Sequence, residues 1–170
     1  MKREPSGPIV FHAVGVVRSP HTDPAGTPIQ PAAARDIPGS VLVFPQYHEA
    51  LKDLDGFSHI YLLSHFHRAG APRLTVTPFL DDTPRGLFAT RAPARPNPIG
   101  LSVVRLDRIE EGVLYIRDVD LLDGTPVLDI KPYVPGFDLR PDARGGWTQA
   151  RLDRLEAARD DGRFAAQDPD

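Results

Sequence analysis

The sequence predicts an all-β protein, a barrel or a sandwich. Short apolar runs recur along the chain, and each is bounded by Gly, Pro, Asp or Glu turn residues. No two glycines stand two positions apart, and strands do not alternate with helices, so a G-x-G-x-x-G dinucleotide fold is excluded. At 170 residues the chain is most simply one domain with room for a real core.

The elements follow in order. Met1–Pro8 is polar, has no apolar leader, and reads as a disordered lead. His12–Ser19 carries Val14, Val16 and Val17 and reads as a first strand, stopped at Ser19-Pro20. Residues 19–40 form a long loop with five prolines, stiff at Thr27–Pro31. Ser40–Phe44 is a second strand, and Tyr47–Leu51 makes a helical turn. His59–His67 is a strong strand. Arg73–Leu80 alternates Leu74, Val76 and Pro78 with polar neighbours, and Leu87–Ala89 is a further short strand. Gly100–Ile109, the break at Glu110-Glu111-Gly112, and Val113–Leu121 read as a hairpin. Val127–Val134 follows the Asp123–Pro126 turn. Thr148 caps a helix to about Arg159, with Leu152 and Leu155 on one stripe. Asp160–Asp170 reads as a polar tail.

Composition bounds the chemistry. Hydrophobic content of 41% and charged content of 25% are those of a soluble globular protein. A net charge of −3 provides no global pull toward nucleic acid or an anionic membrane, so any such binding needs a local basic patch. No cysteine is present, which excludes disulfides, thiolate nucleophiles and cysteine-ligated metals. No apolar run approaches a membrane span, and a cytoplasmic location is the expectation.

Three groups of residues could carry function. Gly86–Ser102 holds Arg91 and Arg95 on a connection stiffened by Pro93, Pro96 and Pro98, so two guanidinium groups come from a backbone with little freedom to lose. The bland alternative is a rigid surface loop with solvated arginines. His59, His65 and His67 share one parity and so one strand face. His59 lies about 20 Å along the strand from His65, so a polar face lining a cavity is preferred over a metal site. Asp129, Lys131 and Tyr133 share a face, either as an ordinary exposed ion pair or as a wall suited to proton transfer and anchoring. Asp118, Asp120 and Asp123 add acceptors suited to a ribose diol or a cationic sulfonium, with a bland acidic turn equally allowed by the sequence.

Three motifs in sequence order resemble the TsaA-like or TrmO family: Asp53–Leu63 with Phe66-His67, the seventeen residues Gly86–Ser102, and Asp123–Tyr133. The resemblance runs from about His12 to Phe137. It implies a small, single-sheeted β-barrel with long loops over residues 12–138. Residues 1–11 are then a disordered lead, and residues 139–170 a C-terminal helical extension and tail. It implies S-adenosylmethionine as cofactor, a homodimer, and methylation of N6 of threonylcarbamoyladenosine beside the tRNA anticodon. The cofactor residues it implies are Ile29, Gln30, Pro31, Phe66, His67, Arg91, Leu101, Asp118, Val119 and Asp120. His67, Asp129, Lys131 and Tyr133 are the candidates for catalysis, and Arg95 and Lys131 for holding the threonyl carboxylate. Some members carry a separate C-terminal domain that helps hold tRNA, whereas the resemblance here ends near residue 138. A methyltransferase of this fold acting on another anionic or nucleotide substrate, or a non-catalytic cofactor-binding module, is the alternative.

Overall fold

A computed structural model describes residues 7–166. Expectations for Met1–Ser6 and for Gln167–Asp170 lie outside the described residues. Eight strands form: β1 (Gly15–Arg18), β2 (Pro38–Val43), β3 (His59–His65), β4 (Thr75–Val76), β5 (Arg85–Gly86), β6 (Ile99–Glu110), β7 (Val113–Arg117) and β8 (Pro126–Pro132). Six of them close into a barrel in the order β1-β2-β7-β6-β3-β8, with every pairing antiparallel. Strands β4 and β5 form a separate two-stranded ribbon. The single-sheeted barrel expected from the sequence is present.

Alternation explains the interior. On β3, Ile60, Leu62 and Ser64 are buried, while His59, Tyr61, Leu63 and His65 point outward. Strand β6 does the same with Val104 and Leu106 inside and Ile99, Leu101, Val103 and Arg105 outside. With Val17, Val41, Leu114, Ile116 and Val127 these residues fill the barrel. The β6–β7 hairpin turns through Glu111 and Gly112, both at positive φ (49° and 79°), the backbone that a tight two-residue hairpin requires. His48 packs its ring over Gly112, leaving no space there for a side chain.

Four expectations are corrected. Leu87–Ala89 is a 3-10 turn, because Leu87 is drawn inward while Thr90 returns both its N–H and its hydroxyl to the Leu87 carbonyl. Of Arg73–Leu80 only Thr75–Val76 pairs as strand; Leu74 is exposed and Pro78 has no N–H to donate. The expected α-helix after Thr148 is a 3-10 segment, Gly146–Arg154, without a side-chain cap. The only α-helix among the described residues is α1 (Pro135–Asp138). Finally, Asp160–Ala166 is not a free tail. It folds back onto the loops above β3, with Phe164 only 2% exposed in a second apolar cluster with Val76, Leu87, Ala92 and Ala94.

Candidate active site

The barrel interior is filled by packing, so the open space lies outside it. A cavity of about 1290 Å³ spreads over the outer face of β6 and touches β3 at His59. The 24–36 loop, the chain just after β3, the Gly86–Pro98 loop, the residues after β7 and the C-terminal segment wall it. Ile29, Gln30, Pro31, Phe66, His67, Arg91, Leu101, Asp118 and Asp120 all line it, as does Arg95.

Each wall has a local cause. Phe66 leaves β3 with its N–H bonded to the Pro98 carbonyl at 2.8 Å. Its ring is seated on Gly100, where a Cβ would stand 2.7 Å from the Phe66 ring and 2.5 Å from Ser64 Oγ. A glycine is therefore what admits an aromatic ring at this floor. Leu101, 48% exposed, and Ile99 add an apolar strip beside it. His67 stands at the exposed mouth. Partial desolvation, then the charges of His65 and Arg68, hold its imidazole below the ordinary histidine range, so it is neutral at neutral pH.

Arg91 donates Nη1–H to Gln30 Oε1 at 2.6 Å, tying the proline loop to the 24–36 loop. Its remaining donors are available to an anion. Asp120 also lines the cavity, and its Oδ1 accepts from Ser102 Oγ at 2.7 Å. Burial is the main cause that pushes its carboxyl up to about 7, while the Ser102 bond and the Arg91 charge only partly offset it. The site thus holds a carboxyl group whose own surroundings under-stabilise its charge, close to a fixed guanidinium.

Asp118 is committed elsewhere. Held at φ 67°, its carboxylate accepts from Arg105 Nε (2.8 Å), Arg105 Nη2 (3.0 Å) and the Asp36 N–H (2.8 Å). Asp36 also pairs with Arg105, and together these groups brace the cavity rim. Val119 turns its side chain into the barrel core, fully buried, and its carbonyl meets the His21 ring at 3.0 Å. Arg95 spends Nη1 on the Thr90 and Ala92 carbonyls (3.0 and 3.3 Å), and its guanidinium lies 5.7 Å from the Phe88 ring centroid.

The remaining candidates form a separate group on β8 and its continuation, and none lines this cavity. Lys131 Nζ pairs with Asp129 Oδ2 at 2.7 Å, with side chains 60% and 45% exposed. Tyr133 packs against Tyr61 and, edge-on, His59, at centroid distances of 5.6 and 6.3 Å. His59 and His65 lie on opposite ends of β3. Among the described residues no group of His, Cys, Asp and Glu is placed to hold a metal ion, and no helix is long and apolar enough to cross a membrane. Trp147, Asp160 and Phe164 also line the cavity, and sequence reasoning did not single them out. The one available signal was composition: a lone Trp and a Phe in an otherwise polar stretch.

Residues 16–139 match the tRNA-methyltransferase O N-terminal domain family. The chain belongs to this family. It is 56% identical over 156 residues to a probable S-adenosyl-L-methionine-binding protein of Pyrococcus abyssi, covering 92% of this chain and 85% of that one. It is 37% identical over 150 residues to the tRNA (adenine(37)-N6)-methyltransferase of Escherichia coli, covering 82% of this chain and 64% of the relative. A crystal structure of TrmO from Pseudomonas aeruginosa superposes with a TM-score of 0.71 at 43% identity, over 84% of this chain and 62% of that one. The chain therefore spans somewhat less than two thirds of the E. coli and P. aeruginosa proteins.

Proposed function

We propose that this protein is an S-adenosylmethionine-dependent methyltransferase that methylates N6 of threonylcarbamoyladenosine beside the tRNA anticodon. The observation that best supports it is the convergence of Gln30, Phe66, Arg91, Leu101 and Asp120 on one cavity, from four separated stretches of sequence. Those residues suit the cofactor's chemical parts. Arg91, already oriented by Gln30, pairs with a carboxylate. Phe66 on Gly100 and the Ile99–Leu101 strip take an apolar or aromatic surface. Asp120 offers a carboxylate that a nearby cation would help to ionise.

The cofactor supplies an activated methyl on a positively charged sulfur. The chain's own work is to align that methyl with the acceptor nitrogen and to take up a proton. The N6 lone pair of the carbamoylated base is delocalised into the urea, so alignment and a base both matter. His67, at the cavity mouth and with its imidazole held toward the neutral form, is the residue that would accept the N6 proton, while the bound cofactor would supply the methyl group. Arg95 at the same mouth keeps guanidinium donors for the threonyl carboxylate. A homodimer would cover the apolar ring of Phe88, 81% exposed beside the cavity. The setting is cytoplasmic, where tRNA is modified.

Titration calorimetry with S-adenosylmethionine tests the cofactor, and methyl transfer to an anticodon stem-loop carrying threonylcarbamoyladenosine, read by mass spectrometry, tests the acceptor. A saturable heat and a gain of one methyl on the modified base are expected. No heat would overturn the whole reading. Heat without transfer to this RNA would overturn the acceptor alone. Sedimentation should give a dimer, and monomer at micromolar concentration would remove the dimeric part.

A further inference from the structure

The family domain ends at residue 139, yet the cavity does not. Its remaining wall is built by Gly145–Ala166, which closes over the loops in two steps. First, the 3-10 segment Gly146–Arg154 lays Trp147 against the Gly86–Pro98 loop. The indole Nε1–H donates to the Ala89 carbonyl at 2.7 Å, and the Arg85 guanidinium stands 5.5 Å from the ring centroid. Arg85 is itself fixed by Asp81, at 2.6 Å from Nη2 to Oδ2. The ring is thus held by its edge and flanked by a cation while it borders the cavity.

Second, the chain returns across both loops that carry the family residues. Asp160 exchanges backbone bonds with Gly26 and Thr27 (2.8 and 2.9 Å), just before Ile29–Pro31. The Phe164 carbonyl accepts from Gly70 at 2.8 Å, and Ala166 donates to the Arg68 carbonyl at 2.8 Å, just after Phe66-His67. Between these two clasps the buried Phe164 ring meets Phe79 edge-on at 5.1 Å. A segment that served only to cover apolar surface would not need to bind both loops by their backbones.

We propose that this C-terminal segment is part of the ligand site in cis, with Trp147 contacting the purine of a bound ligand and Phe164 the positioning residue that holds the two loops at ligand distance. A fixed indole with a guanidinium beside it is suited to a nucleobase, since every base presents a π-face. Both the cofactor and the methyl acceptor contain a purine. The proposal rests on the methyltransferase reading.

The full chain contains a single tryptophan, so its fluorescence reports on this wall alone. Calorimetry and tryptophan emission are followed together, in one arm with S-adenosylmethionine and in a second with the anticodon stem-loop added to the saturated protein. An emission change tracking the heat in the first arm assigns the contact to the cofactor's purine. A change only in the second assigns it to the acceptor. Heat in both arms with no emission change would overturn the proposal while leaving the methyltransferase reading intact. Absence of heat in the first arm would overturn that reading, and the proposal with it. Trp147→Ala should weaken the same ligand about tenfold, with Trp147→Phe retaining most of the affinity. Phe164→Ala should weaken S-adenosylmethionine binding at temperatures well below unfolding, and Phe164→Leu should restore it in part. Variants that unfold earlier but bind as the parent does would reduce the segment to a structural role.

Discussion

The barrel interior and the layer on its outer face are built by different means. Inside, twelve buried apolar residues form one cluster, mostly at alternate positions of paired strands. Outside, the cluster under the cavity has five, Val76, Leu87, Ala92, Ala94 and Phe164, none from a barrel strand. What the outer layer lacks in buried area it replaces with proline stiffness and hydrogen bonds to loop carbonyls. On the proposed function the barrel carries stability and the layer carries chemistry, and substitutions should separate the two.

The largest effect belongs to the interior. Leu62→Ala should cost about 2–5 kcal/mol in denaturant unfolding, because Leu62 is fully buried between β6 and β8. Its cofactor affinity, measured well below the unfolding midpoint, should match the parent. A parallel loss of affinity would mean that the two regions are not separable.

Arg91→Ala should do the reverse. Losing a charged hydrogen bond to a carboxylate costs about 1.5–3 kcal/mol of binding, roughly tenfold or more in calorimetric affinity. Arg91 is exposed, so the unfolding free energy should stay within about 0.5 kcal/mol of the parent's. Unchanged affinity would remove Arg91 from the site.

Asp120 is predicted to link the regions through pH. Its folded pKa lies above the ordinary carboxylate value, so between about 4 and 7 the native state binds more protons than the unfolded state. Stability from this group is complete at low pH and is lost as pH rises to about 7. Asp120→Asn should then raise the melting midpoint at pH 8 by about 5 °C, and by much less at pH 4. The same variant should weaken S-adenosylmethionine, whose sulfur is cationic, more than S-adenosylhomocysteine, whose sulfur is neutral. Equal losses for both would show that Asp120 does not sense the sulfonium.

The smallest effect is expected at Lys131→Ala. Its ion pair with Asp129 is exposed and should be worth less than about 1 kcal/mol in urea unfolding. Turnover should change less than about twofold, as expected for a surface substitution away from the cavity. A drop beyond tenfold would bring the β8 group into catalysis from the partner subunit.

The barrel was legible because alternation and turn chemistry agree locally: Ile60, Leu62 and Ser64 point one way on β3, and Glu111-Gly112 ends the hairpin where the apolar runs stop. The cavity loops were legible through the resemblance, since Arg91 and Phe66 gave no sign on their own of facing the same space. The C-terminal wall was not. Nothing near Phe164 has a period, and its burial depends on Val76, Leu87 and Ala94, far away in sequence. Gly145 and Gly146 stand at the start of the Gly146–Arg154 segment, which forms as a 3-10 helix with Trp147 bonded to the Ala89 carbonyl, a long-range contact that no local pattern announces.

Barrel closure has one more consequence. Because β1 pairs with both β2 and β8, no strand of the barrel among the described residues is a free edge strand, although β8 meets β1 only at Pro126 and Val127. A second chain adding a full strand would find no open edge strand to pair with, only the short stretch of β8 beyond Val127. A partner of this barrel, another copy of the chain or a folded RNA, is therefore left mainly side chains and loops to read, and on the proposed function the cavity face is the surface that offers them.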